Sequence, residues 1–456
     1  MAETQPIQTT DIDSLLDFGP WGTMQKAIVA LAALAIIFDG MDIQMMGFAI
    51  PAIAKDWSVA RAAFSSILAL GLIGVTLGTV FGGFLGDRIG RRNALIANVI
   101  LFGAATFAIA FCHSLHTLLT LRIIAGLGIS GALPNAATLT AEFTPRRNRP
   151  VAVTLAIVCI PLGGFLAGLI SANVLAHGNW RILFWIGGLS PILLGLLLLR
   201  LLPESPRYLA RHPERAEDLR TLLRRMGKDV PPGVTVVEHV PPQGPTSGLA
   251  AELLGPGQVI NTLALWIAFF CCLVSVYLVF NWLPSMLSGR GLSLTVASQA
   301  LAVYNFGGIF GAIFFAWWIS KQGSRIPLLT GAIAGLLSAL VLRGLPINPA
   351  GSHTPLLVAL CVHGLFVNAI QTTMYALAAH IYTTKVRATG VASAVAVGRT
   401  GAILSAFMGA TILGLGTANY FLLLAIGMTG VFIALFILRN HIQVANPAAQ
   451  PEALTA

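Results

Sequence analysis

Charge is what this chain has least of. Only 10% of its 456 residues are Asp, Glu, Lys or Arg, against 56% hydrophobic residues. Mean hydropathy is +0.83. Soluble proteins carry about 25% charged residues. There is too little charge here to cover a water-facing surface, which excludes a water-soluble enzyme or DNA-binding protein. Disorder is excluded for the opposite reason. Cysteine is also scarce: Cys112, Cys159, Cys271, Cys272 and Cys361 lie in or beside apolar runs, without metal-ligand spacing or an evident disulfide partner. They read as small packing residues, and no metal or other cofactor is expected. No Walker motif is present, so a pump driven directly by ATP is not expected. Residues 1–24 are polar, and no cleavable leader is expected.

What the chain does have is long apolar runs. A membrane span needs about 20 apolar residues. Twelve runs qualify: 27–51, 62–86, 93–112, 117–142, 150–176, 180–202, 258–284, 293–319, 326–345, 354–380, 387–414 and 418–438. The fold class is therefore an all-α membrane protein with twelve transmembrane helices in two six-helix halves. The expected division is a cytoplasmic tail (1–24), a first bundle (25–202), a polar linker (203–257), a second bundle (258–440) and a second tail (441–456). Within the linker, 207–227 reads as a short helix and 230–248 as a flexible Pro/Gly segment.

The net charge of +10 suggests nucleic acid in a soluble protein. Here membrane topology explains it. Of the 27 Lys and Arg, 20 fall on the side of the N-terminus, five on the other side (Lys55, Arg61, Arg181, Arg290 and Arg343), and two within spans. That bias places both termini in the cytoplasm, and no nucleic-acid partner is expected. The halves echo each other weakly: G-G-F-L-G-D-R-I-G-R-R (82–92) follows span 2, and A-W-W-I-S-K-Q-G-S-R (316–325) follows span 8. A duplicated six-span unit with its site between the repeats is the arrangement of a secondary transporter. The Gly-rich stretches 71–78, 126–131 and 304–311 read mainly as close helix contacts.

Of 17 acids, only Asp39 and Asp42 lie well inside a span. Three positions apart, they share one helix face, and Gly40 between them offers a place for the helix to loosen. A carboxylate in hydrocarbon costs several kcal/mol unless paired, hydrated or protonated. Burial and mutual repulsion favour taking up a proton at one of them, as a proton carrier requires; a structural pair with a basic residue is the other reading. Arg122 and Arg399 are the intramembrane cations. Arg122 suits a proton relay or a structural ion pair. Arg399, in the other half, suits a bidentate grip on an anionic substrate. Asn135, Trp282, Tyr304, Asn305, Gln371 and Tyr375 are candidate substrate contacts, since aromatics beside amides suit a flat ring; interhelical hydrogen bonding or packing is the alternative for each. In the turn after span 2, Asp87 with Arg88 and Arg91 suits a conformational clamp. Ser320 stands where a second copy of Asp87 would be.

The segments G-D-R-I-G-R-R (86–92), R-I-I-A-G-L-G (122–128) and P-E-S-P-R-Y-L (203–209) resemble the major facilitator superfamily. D-G-M-D (39–42), L-P-N-A-A-T-L-T-A-E (133–142), N-W-L-P (281–284), Y-A-L-A-A-H-I-Y (375–382) and V-R-A-T-G-V-A-S-A-V-A-V-G-R (386–399) narrow the resemblance to the aromatic acid:proton symporter family. The resemblance implies import of a benzoate-type carboxylate with protons across a bacterial inner membrane, by a monomer in contact with lipid. It carries the family's essential acids to Asp39 and Asp42, its functional arginines to Arg387 and Arg399, and its turn acid to Asp87. Arg387 is assigned with the turn residues to the conformational gate. Three other readings stand beside it: an organic-cation or drug:proton antiporter, a sugar porter, and a transporter-like sensor of aromatic acids.

Overall fold

Hydrocarbon leaves backbone groups no water to bond, so a span must satisfy them within itself as a helix. The computed structural model describes residues 9–228, 230–231, 234–238, 252–255, 257–383 and 386–443. Among these, twelve helices are long and apolar enough to cross a membrane. Spans 1 to 6 are Thr23–Asp56, Arg61–Ile89, Arg91–Ile109, Leu115–Glu142, Val151–His177 and Trp180–Leu201. Spans 7 to 12 are Val259–Gly289, Leu294–Gln322, Arg325–Gly344, Thr354–Ile381, Arg387–Leu413 and Thr417–Ile437. Each overlaps an expected run, though span 1, at 34 residues, extends well past the hydrocarbon. Capping residues set several starts: Ser114 Oγ accepts from Thr117 N (3.3 Å) ahead of span 4, and Asn179 Oδ1 from Arg181 N (3.1 Å) ahead of span 6.

The chain forms two compact units. The first comprises Met1–Pro245, Phe280–Ala302 and Ala406–Thr411; the second comprises Thr246–Val279, Val303–Ser405 and Ile412–Ala456. These differ from a division at the linker, because span 7 changes unit at Phe280. The reason lies inside the first unit. A methyl group on Gly47 of span 1 would sit 2.0 Å from the Phe280 carbonyl, and one on Gly168 of span 5 would sit 2.6 Å from the Ala302 side chain.

Spans 2 and 4 are held together by a row of small residues. A Cβ on Gly74, Gly78 or Gly82 would lie 2.2–2.5 Å from Ile123, Leu127 or Gly131 backbone atoms. The second unit repeats the device: Gly307 and Gly311 of span 8 face the Cys361 and Leu365 carbonyls of span 10, and Gly364 faces that of Tyr304. The glycine-rich runs thus serve close packing, as read from the sequence.

The N-terminal tail is more than a polar leader. Thr9–Asp11 pairs in parallel with Thr235–Val237, which belongs to the segment read as a flexible linker. The helix Ile12–Asp17 buries Ile12 and Leu16, one turn apart, among Leu209, Leu219, Leu222, Leu223 and Val236. Asp13 pairs with Arg207 (2.8 Å) and Asp17 with Arg149 (2.5 Å). Arg211 pairs with Glu238, whose carboxylate holds the guanidinium above its ordinary value. The expected helix over 207–227 is instead broken into Pro206–Ala210, a 3-10 turn at Pro213–Arg215 and Ala216–Arg225. Pro213 has no N–H to continue the first piece. Residues 1–8, 239–251 and 444–456, parts of the expected tails and linker, lie outside the described residues.

Candidate functional site

In the first unit the chemistry gathers on span 1. Asp42 is fully buried. Arg122 Nη1 of span 4 donates to its Oδ2 at 2.9 Å, and Thr106 Oγ1 of span 3 donates to its Oδ1 at 2.5 Å. Two partners on two other helices thus hold one carboxylate in the apolar interior. Such a pair is kept by hydrogen bonds that offset its desolvation. Asp39, 2% exposed, lies three positions earlier on the same face and also interacts with neighbours. Helix Thr23–Asp56 runs unbroken through Gly40. Gly40 is therefore a contact rather than a hinge: a Cβ there would lie 2.2 Å from the Ile160 carbonyl of span 5. Gly71 of span 2 leaves room beside the Arg122 side chain, its hypothetical Cβ 3.7 Å from Arg122 Cβ.

Asn135 is fully buried on span 4, with Nδ2 donating to the carbonyls of Gly82 (2.9 Å) and Gly131 (2.8 Å). That is a tie between spans 2 and 4, the alternative to a substrate contact. Trp282 is also fully buried, its indole against Gly409.

At the turn after span 2, Gly90 alone separates two helices, with φ +93°. Asp87 pairs with Arg91 one turn on (2.5 Å), so its ionic partner lies within its own motif. Arg88 lies over the Phe84 ring, 4.9 Å from its centroid. Glu204, from the P-E-S-P-R segment, accepts from Arg92 N (2.9 Å) and Ser205 N (2.8 Å) and closes directly on Gly90. Ser205 Oγ in turn donates to Glu142 at the end of span 4. Glu204 and Ser205 therefore lock spans 2, 3 and 4 to the chain leaving span 6. In the second copy of the turn, Ser320 only returns a hydrogen bond to the Trp317 carbonyl (2.6 Å).

In the second unit Arg399 is half-buried, and its Nη1 donates to Tyr277 Oη at 2.6 Å. The guanidinium lies 5.9 Å from the Tyr277 ring centroid. Tyr375 packs edge-on to Phe269 with centroids 5.3 Å apart, within electrostatic reach of Arg399 and Tyr277. This brings a cation, two phenols and an aromatic wall together from spans 7, 10 and 11. Tyr304 and Asn305 are fully buried on span 8, and Gln371 is half-buried on span 10. Tyr304 lies tilted against His363 (centroids 6.0 Å apart, planes at 46°), whose Nδ1 bonds Ser338 Oγ at 2.9 Å. Arg387 opens span 11, exposed.

Sequence reasoning missed Thr106 as a partner of Asp42; a threonine in an apolar run carries no signal of what it faces. It also missed the job of Glu204, although P-E-S-P-R marked the place.

The chain matches the family model described as Major Facilitator Superfamily over residues 32–348 and 265–456. It is 35% identical to the 4-hydroxybenzoate transporter PcaK of Pseudomonas aeruginosa, over 90% of this chain and 91% of the relative. It is 33% identical to the gallate transporter of Pseudomonas putida, over 94% and 95%. In fold it is similar to the xylose transporter XylE of E. coli in a partially occluded inward open conformation, at a TM-score of 0.69, 19% identity, and coverage of 91% of this chain and 97% of that one. It is a membrane transporter, not an enzyme. With twelve apolar helices and relatives matched along nine-tenths of its length, the chain belongs to the Major Facilitator Superfamily, among relatives named as transporters of aromatic acids.

Proposed function

We propose that this chain imports an aromatic carboxylate of the benzoate or hydroxybenzoate type together with protons, by alternating access. It works as a monomer in a bacterial cytoplasmic membrane, with both termini inside and protons as its only coupling ion. The observation that carries the reading is the carboxylate of Asp42, held between Arg122 and Thr106 in the membrane interior. A proton arriving there cancels the negative charge and leaves Arg122 without its counter-charge. Breaking one side of a buried pair costs about 3–5 kcal/mol, enough to bias a conformational equilibrium. Asp39, on the same face, is the second acid to which Arg122 turns.

The substrate carboxylate binds Arg399, oriented by Tyr277, with its ring against Phe269 and Tyr375. A guanidinium accepts a carboxylate through two parallel hydrogen bonds. The relatives named for 4-hydroxybenzoate and gallate support this class of cargo. Gln371, Tyr304 and Asn305, in the same unit as Arg399, are the candidates for contacting ring substituents.

The test is uptake into proteoliposomes of labelled 4-hydroxybenzoate, gentisate, nicotinate and a cationic dye, with and without an inward proton gradient. An aromatic acid accumulates only with the gradient, and the dye does not. Asp42→Asn abolishes accumulation while the protein remains in the membrane. Uphill transport by Asp39→Asn/Asp42→Asn would overturn the coupling scheme.

A further inference from the structure

The first unit holds another place suited to an anion, where span 1 ends and span 2 begins. There the ends of spans 1 and 7 and the starts of spans 2 and 8 line an open pocket of about 440 Å³. Its apolar walls include Pro51, Val59 and Leu292, its cations are Lys55 and Arg61, and Ser288 and Ser293 are its serines. The volume falls within the range of about 300–1,000 Å³ typical of small-ligand sites. No carboxylate is among its lining residues. The nearest acid in sequence, Asp56, is engaged elsewhere: its Oδ2 accepts from Trp180 Nε1 at 3.0 Å and Arg181 Nη1 at 3.2 Å. Two cations, two serines and apolar walls without a lining carboxylate match a small aromatic anion.

Arg61 is also a strap. Its Nη1 donates to the Ser285 carbonyl of span 7 at 2.6 Å, beside Gly289. Deeper along span 7, Phe280 meets Gly47 of span 1 at backbone contact. The pocket thus lies outside a closed packing of spans 1 and 7, and its arginine ties span 2 to that closure. A neutral carbonyl is a weaker partner for a guanidinium than a carboxylate, which binds through a charge-assisted, often bidentate, pair. An anion entering the pocket therefore competes for the strap.

We propose that this pocket is a capture site for the aromatic carboxylate, which Lys55 attracts and Arg61 binds in exchange for the Ser285 carbonyl, so that arrival of cargo loosens the closure of spans 2 and 7. The proposal rests on the functional reading above. Fields from a cationic mouth raise association rates and are screened by salt.

The experiment measures initial 4-hydroxybenzoate uptake into proteoliposomes at low and high ionic strength, with protein content matched. Lys55 is exposed, so its replacement leaves folding intact. Lys55→Gln is expected to raise KM about threefold to tenfold with maximal rate within about twofold, and to flatten the salt dependence of kcat/KM. Lys55→Glu exceeds it, and Lys55→Arg restores both. Arg399→Lys, by contrast, weakens binding but keeps the wild-type salt dependence. If the wild type carries no aromatic carboxylate, the functional reading falls and this pocket with it. If the wild type does and Lys55→Gln and Lys55→Glu match it in KM and salt dependence, the pocket assignment alone falls.

Discussion

Tyr277 shows how one hydroxyl prepares a cation for a ligand. Its Oη accepts from Arg399 Nη1 at 2.6 Å, which fixes the guanidinium plane. Tyr277→Phe removes that restraint and keeps the ring. The expected cost is about 1–1.5 kcal/mol, or roughly a tenfold rise in KM for the aromatic acid. Arg399→Ala removes the charge itself, and binding of labelled acid by purified protein should fall much further. Unchanged affinity in Arg399→Ala would remove both residues from the site. The arginine was legible in the sequence as a charge in an apolar span. That Tyr277 is its partner was not, because 122 positions separate them.

At the scale of helices, the row on span 2 sets how closely span 4 approaches. Gly78→Leu puts a side chain where a Cβ alone would lie 2.3 Å from the Leu127 carbonyl. Spans 2 and 4 must then separate, and Arg122, carried by span 4, moves relative to Asp42. Overpacking of this kind costs about 1–3 kcal/mol or more, so a lowered melting temperature in detergent is expected. Gly83, with nothing within 4 Å of its hypothetical Cβ, accepts Ala without that loss. Equal melting temperatures for the two variants would refute the close-packing account. The segment after span 12 carries a pH dependence. Ile442 N donates to Ser324 Oγ at 2.8 Å, and Ser324 N to the Ile442 carbonyl at 2.9 Å. His441 sits beside them, its imidazole pushed below the usual 6.5 by burial first and by Arg325 second. The neutral ring fits the folded segment. Its contribution is present above the ordinary imidazole value and is lost as pH falls through that value toward the depressed folded one. Hydrogen exchange at 438–443, corrected for intrinsic rates, should therefore quicken between pH 7.5 and pH 5, and His441→Gln should abolish that difference.

For the molecule as a whole, alternating access requires contacts that can open. Within the first unit, span 7 from Phe280 onward rests on span 1 at Gly47, with only 2.0 Å between a hypothetical Cβ and the Phe280 carbonyl. Gly47→Val wedges that contact apart. The expected outcome is a folded protein whose transport is lost because the closed arrangement no longer forms, with wild-type melting behaviour reduced only modestly. Labelling of a cysteine introduced near Ser288 should become faster in the variant. No change in either transport or labelling would show that this contact is not part of the cycle. The direction of coupling belongs to this scale too. One proton with a monovalent acid moves no net charge, whereas a second adds about 2.3 kcal/mol per 100 mV.

The linear order of residues was enough to establish twelve spans and to place two acids and two arginines within them. Hydropathy and charge are local properties that add along a segment, and the lipid imposes the same helical answer on each run. The folded arrangement alone decided that Asp42 meets Arg122 and Thr106, that Gly40 is a contact with Ile160, and that Thr9–Asp11 pairs with Thr235–Val237. Those facts depend on side chains and strands brought together from positions 64 to more than 200 residues apart. Their approach is set by packing among several helices at once, which no local pattern encodes.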